Sequence, residues 1–247
     1  MNKDYFLNRR SCRVYSPDKI SEKKIEDIIS RAMKAPTCGN MQLYSVIITE
    51  NPENLKKLAS YHYNQPAAST APVILTICAD FSRFTKWCEY RNADAGYNNF
   101  HSFITALTDA VIFSQQIVTI AEMEGLASCY LGTVTYNAKE ISEFLNLPDL
   151  VVPVASISLG YPAEECEKSN RLPIKAILHN EHYRQDNEKT ILDFYKEEEE
   201  NPQNQKFIKE NSKENLAQVF AEVRYPKEMN EKISTTFTQL LKEKGFI

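Results

Sequence analysis

Three arginines and a hydroxyl fall within five residues near the N-terminus, in Arg9-Arg10-Ser11-Cys12-Arg13. Such a cluster suits a phosphate. A guanidinium grips phosphate oxygens through paired hydrogen bonds, and the serine adds a donor. A solvated basic turn is the alternative, since arginine pairs are common on surfaces. A second polar group is Pro36-Thr37-Cys38-Gly39-Asn40-Met41-Gln42. Thr37, Asn40 and Gln42 beside a glycine can hydrogen-bond the edges of a planar heterocycle, though the same residues suit a plain helix-to-strand turn. Cys38 has no histidine near it in sequence, so a buried, inert thiol describes it better than a nucleophile. Third comes Tyr130-Leu131-Gly132-Thr133, where a glycine at a strand end lets a ligand approach backbone amides or simply makes a turn. Fourth is Lys168-Ser169-Asn170-Arg171-Leu172-Pro173. Its two cations either complete an anion site begun by the N-terminal arginines or stand exposed.

Other chemistry is poorly supported. His179 and His182 lack the spacing of HExxH, so no metal is expected. The run Glu197 to Glu200 reads as a solvated helix end. Trp87 with Phe81, Phe84 and Tyr90 either lines a pocket or packs as aromatic core. Six glycines in 247 residues leave no GxGxxG and no GxxxxGK[ST], which argues against a Rossmann or P-loop phosphate cradle. The 29 Lys and Arg against 33 Asp and Glu give a net charge of −4, so no bulk attraction to nucleic acid is expected. The first 35 residues differ, with nine basic against five acidic residues. The six cysteines form no CxxC or zinc spacing, and the start MNKDYFLNRR has no apolar core of a signal peptide. Free thiols in a reducing cytoplasm follow as the expectation.

The elements that must position these groups centre on Asn99 to Glu124, 26 residues without Gly or Pro. At helical rise this is a rod of about 39 Å. Phe100, Phe103, Leu107, Ala110, Val111, Ser114, Ile117, Val118 and Ala121 make one apolar face, and Ile104, Ile112, Phe113 and Ile120 fall on others. A helix apolar nearly all round is buried in a large core or a subunit interface. Asp109, Gln115, Gln116 and Glu122 argue against a membrane span. Around it the spacing predicts a helix from Ser21 to about Ala35 and strands at 43–49, in APVILTICAD, in LASCYLG and in VVPVASISLGYP. Residues 81–98 carry no clear pattern. Helices are expected at 186–200, near 205–221 and near 227–244. The fold class is α+β, a sheet packed on helices.

Taken in order, these segments resemble the nitroreductase family of flavin enzymes. The RRSxR run is followed by the Thr37-x-x-Asn40-x-Gln42 loop and Asn64-Gln65 before APVIL. The long helix with Asp109, the YLG strand end and the basic loop ending RLP complete the order. RLPIKAILHNEHY is most like the NADPH nitroreductase and flavin reductase subgroup. The likeness runs from about Tyr5 to Tyr183. It implies a mixed sheet flanked by helices in an intertwined homodimer, with FMN at the interface touching both chains. It also implies a core at 1–185 and a C-terminal helical extension at 186–247 within a single domain. Arg9, Arg10, Ser11, Arg13, Lys168 and Arg171 are then implied to hold the FMN phosphate and ribityl chain. Thr37, Asn40, Gln42 and Gln65 meet the ring or ribityl groups. Tyr130, Leu131 and Gly132 lie along the isoalloxazine, with the Gly132 amide near N5.

The implied activity is ping-pong hydride transfer from NADPH or NADH through FMN to small-molecule acceptors: nitroaromatics, quinones or flavins. The flavin carries that chemistry, so no catalytic acid or base is required. A specific dehydrogenase or dehalogenase of the same fold, a non-catalytic flavin binder, and a helical scaffold without cofactor are the alternatives. Three departures stand out. Thr133 follows Gly132 where the subgroup has a second glycine. Ser169 stands at the usual lysine position, with Lys168 one place earlier. The C-terminal region offers Lys206 and Lys209 but no arginine before Arg224, which leaves NADPH against NADH open.

Overall fold

The computed structural model describes residues 4–166 and 168–247. They fall into two compact units, Met1–Glu167 with Ile233–Ile247, and Lys168–Lys232. In chain order the helices of the first stretch are α1 (Asp4–Asn8), α2 (Glu22–Ala32), α3 (Pro52–Tyr61), α4 (Pro66–Ser69), α5 (Ser82–Tyr90), α6 (Phe100–Met123) and α7 (Ala138–Phe144). The strands are β1 (Tyr44–Thr49), β2 (Val73–Asp80), β3 (Ala127–Tyr130) and β4 (Val151–Gly160). There follow α8 (Glu188–Glu200), α9 (Pro202–Glu210), α10 (Leu216–Gln218) and α11 (Lys227–Glu243).

The helix starts are set by side chains. Ser21 Oγ accepts the Lys24 N–H at 3.3 Å, Asn51 caps α3 with Pro52 in the first turn, and Asn99 Oδ1 accepts the Ser102 N–H at 3.0 Å. Each cap satisfies a backbone donor the helix cannot. In contrast, α5 follows Phe81, which provides no side-chain cap, so its start leaves little trace in the sequence.

The sheet order is β1-β2-β4-β3. All three pairings are antiparallel, so the mixed sheet implied by the family likeness shows no parallel pair among the described residues. Every residue of β2 is buried. Alternate residues serve two cores: Val73, Leu75 and Ile77 join the cluster under α6, while Ile74 belongs to another. Layers on both faces thus explain a continuous apolar run in an antiparallel strand. Helix α6 lays Ala110, Phe113, Ile117, Val118 and Ala121 on that sheet, and the Tyr44 ring stacks on Phe113 at 4.1 Å. Its length and hydropathy alone would suit a bilayer span, with 44% of the apolar window buried in this fold. Phe100, Ile104, Val111, Ile112 and Met123 remain exposed along it.

Two further expectations change. The stretch near 205–221 is not one helix: α9 stops at Glu210, Ser212 takes a left-handed φ of 52°, and a π turn follows at Val219–Arg224. The second is the thiols: Cys12 and Cys166 form a disulfide, with Cα atoms 5.3 Å apart, although 154 residues separate them. Cys78, Cys88 and Cys129 are free, as expected, and buried, while Cys38 is free but exposed, against the expectation of a buried thiol. Closing so long a loop restricts the unfolded chain, so Cys166→Ala should cost about 2–4 kcal/mol. Urea midpoints of the oxidised wild type and the variant measure this; equal midpoints would contradict it.

Candidate functional site

The RRSCR loop is locked to the first unit from several sides. The Tyr15 hydroxyl lies 3.0 Å from the Cys12 carbonyl and 2.8 Å from Ser158 Oγ on β4. Gly160 sits under the Tyr15 ring: a Cβ there would lie 2.7 Å from it, so only glycine fits. Arg9 donates to Glu122 Oε1 at 3.0 Å, and that carboxylate also receives the Tyr5 hydroxyl at 2.6 Å and the Ser128 hydroxyl. Glu122 is thus nearly saturated by groups from α1, the loop and β3. Arg10 pairs with Glu165 at 3.0 Å and donates to the Cys166 carbonyl. Ser11 Oγ accepts from Arg9 at 3.3 Å. Arg13 differs: it is exposed and makes no hydrogen bond or ion pair among the described residues.

The second loop is held by a residue the spacing did not single out as a site residue. Asp109, 1% exposed on α6, accepts the Cys38 N–H at 2.8 Å with one oxygen and the Leu43 N–H at 3.2 Å with the other. Between those anchors Gly39, Asn40 and Gln42 all have φ between 54° and 56°. Non-glycine residues in that region cost free energy and persist only where neighbours enforce them, a feature that clusters at ligand sites. Thr37 Oγ1 is buried without a hydrogen-bond partner. Asp109→Asn presents an amide to a backbone N–H, so it should cost about 1–3 kcal/mol. A denaturation midpoint unchanged from wild type would contradict that anchor role.

The third loop leaves β3. Tyr130 reaches Ser114 on α6, hydroxyl to hydroxyl at 3.0 Å, and the Leu131 N–H donates to the Ser156 carbonyl at 2.8 Å. Gly132 is exposed, and a Cβ built on it would meet nothing within 4 Å. Beside it, Thr133 Oγ1 lies 2.8 Å from His62 Nδ1 and accepts from Gln65 Nε2 at 3.2 Å. Asn137 donates to the Tyr61 carbonyl at 2.6 Å. The loops at 61–65 and 131–137 are therefore stitched together. His62 is fully buried, and burial alone lowers its pKa to about 4. An unfolded chain takes up a proton near pH 6.5 that the folded chain refuses until about pH 4. His62 therefore contributes no acid sensitivity above pH 6.5. Below it, stability falls as pH drops, by up to about 1.4 kcal/mol per pH unit. Urea midpoints at pH 7 and pH 5 should diverge more for wild type than for His62→Leu; equal divergence would contradict a neutral His62.

Cys12, Tyr15, Ala67, Ala68, Cys129, Leu131 and Val134 share one apolar cluster. Arg9, Arg10, Ser11, Arg13, Gln65, Tyr130, Leu131 and Gly132 thus stand on a common base. Thr37, Asn40 and Gln42 do not: their loop borders Leu43, Phe103, Ala106 and Met41 in a different cluster. Lys168 and Arg171 belong to the second unit and are exposed, with Arg171 donating to the Asn170 carbonyl at 2.7 Å. In that unit the Arg224 guanidinium stands over the Phe207 and Phe220 rings at 4.6 and 5.1 Å. The His179 ring stacks on that of Tyr183. Phe81 is core, while Trp87 and Tyr90 are exposed. An unpaired guanidinium, an orphaned buried hydroxyl and a glycine facing open space fit a phosphorylated planar ligand with polar edges.

These features define a flavoenzyme-like fold, and the chain belongs to the Nitroreductase family, whose pattern matches residues 7–161. It is 32% identical over 195 residues to the Cr(VI) reductase of Pseudomonas sp. strain G-1, covering 79% of this chain and 80% of that protein. It is 29% identical over 203 residues to the FMN reductase (NADPH) of Bacillus subtilis strain 168, covering 77% and 82%. A crystal structure from Bacteroides fragilis NCTC 9343 superposes with a TM-score of 0.97 at 43% identity, over 99% of both chains.

Proposed function

We propose that the FMN site is assembled from two patches carried by different copies of the chain in a homodimer. Arg13, with Arg9, Arg10 and Ser11, meets the phosphate; Gln65 and Tyr130-Leu131-Gly132 lie against the ring. Thr37, Asn40 and Gln42 of the second copy close the other side. The enzyme is an FMN-dependent NAD(P)H oxidoreductase, as its family is. Bound FMN supplies the two-electron relay between NAD(P)H and a small acceptor, which we take to be a nitroaromatic, quinone or free flavin. The protein's part is to bind, orient and bias charge: the exposed Gly132 leaves its amide open, and cations near the ring favour the negative charge that reduction adds.

The observation that carries this reading is Arg13. Its neighbours on the loop are committed to Glu122, Glu165 and backbone, whereas its own charge has no partner. A free guanidinium on a rigid base is suited to an outside anion. The separation of the 37–42 loop into its own cluster, and the apolar stripe left exposed on α6, support the two-copy arrangement. In a cytoplasmic setting, where the reading puts the enzyme, the Cys12–Cys166 bond would face a reducing thiol pool. The test is the visible spectrum of the purified protein under anaerobic conditions. A flavin band bleached by NADPH or NADH and restored by a quinone or nitroaromatic is expected. A colourless chain that takes up no FMN would overturn the reading.

A further inference from the structure

We propose that the Thr133 hydroxyl donates a hydrogen bond to bound FMN, and that His62 is the positioning residue that turns that hydroxyl outward. The inference rests on the proposed FMN site and adds two residues to it.

The direction of each hydrogen bond follows from counting donors. Gln65 Nε2 is a donor, so Thr133 Oγ1 accepts that bond. A neutral imidazole carries one N–H, and His62 is kept neutral by its burial. Its Nε2 is buried with no partner. Orphaned buried N–H groups are rarer than orphaned acceptors, so the proton belongs on Nδ1. Nδ1–H then donates to Thr133 Oγ1 across 2.8 Å. Both lone pairs of the threonine oxygen are occupied. Its own proton has no acceptor among the described residues and must point to whatever lies beyond.

What lies beyond is the mouth of the 131–135 turn. Thr133 is half-buried and adjoins Gly132, whose exposed backbone faces open space. The hydroxyl and the Gly132 N–H are thus neighbouring donors. Two donors on one edge of a flavin favour the electron-rich, reduced form over the oxidised one. The residue that stands where the subgroup has a second glycine therefore raises the cofactor's affinity for electrons. Holding the hydroxyl in advance avoids reorienting it on binding, and a buried network is the means of doing so.

The test uses the FMN-loaded enzyme and measures FMN dissociation constants and the midpoint potential. Thr133→Val keeps the shape and removes the hydroxyl. It should weaken the reduced form about tenfold more than the oxidised form, the weight of one hydrogen bond to a charged group. For a two-electron couple that is a fall of about 30 mV. Thr133→Ser should restore the wild-type potential. His62→Leu should reproduce the fall when Thr133 is present and add nothing in the Thr133→Val background. A potential unmoved by Thr133→Val, in enzyme that still binds FMN and is bleached by NAD(P)H, overturns the inference and leaves the proposed function standing. So does an equal loss from both oxidation states after His62→Leu, which would mark it as merely structural. Failure of the wild type to bind FMN would end both.

Discussion

Arg13→Ala is expected to weaken FMN binding about 10- to 100-fold while leaving the fold as stable as before. A hydrogen bond to a charged group contributes about 1.5–3 kcal/mol, and each 1.4 kcal/mol is tenfold in affinity. No internal partner is stranded, because Arg13 makes no hydrogen bond or ion pair among the described residues. The neighbouring Arg9→Ala makes the contrast. It would leave Glu122, whose side chain is 9% exposed, without its cation. Its main cost should therefore be stability. Equilibrium dialysis for FMN and urea unfolding separate the two outcomes. Equal FMN affinity for Arg13→Ala and wild type would remove the phosphate assignment.

The pair of changes Ile104→Glu and Val111→Glu should yield a monomer that has shed its flavin. These side chains are 39% and 47% exposed in the single chain, on the same helix as the exposed Phe100. They point away from the buried face formed by Phe103, Ala106 and Ala110. Large apolar groups gathered on a long helix mark an interaction surface. In a two-fold interface each substitution appears twice, and an unpaired charge buried there costs about 3–5 kcal/mol. Since the chain's own core is untouched, its circular dichroism should persist. Light scattering gives the mass and absorbance the flavin content. An intact dimer, or a monomer that stays yellow, would contradict the proposed arrangement.

Much of this architecture is readable from the residues alone, for physical reasons that differ by element. Helix α6 is long, uninterrupted and periodic, and Ser21 opens α2 with a cap that the structure realises. Strands β2 and β4 appear as apolar runs because both faces are covered. What stays hidden is tertiary. Nothing local says that Asp109 reaches Cys38 and Leu43, that His62 meets Thr133, or that Cys12 meets Cys166 across 154 residues. Cysteine number bounds the possible pairings without choosing one. A hint did exist for Asp109 and His62: each is polar within an otherwise apolar or structured stretch, which requires a partner if buried. Helix α5 escaped because Phe81 offers no capping oxygen. The break after α9 rests on Ser212 adopting a left-handed φ, which serine does not advertise.

The most direct test of a site divided between two copies is complementation between two defective chains. One carries Arg13→Ala and the other Asn40→Gly, a change that tolerates the φ of 56° at that position. Each homodimer should bind FMN poorly. Unfolded together and refolded, they should form mixed dimers in which one site combines the intact Arg13 of one chain with the intact Asn40 of the other, so tight FMN binding returns at one site per mixed dimer. If Arg13 and Asn40 serve the same site from a single chain, every site keeps one defect and mixing restores nothing.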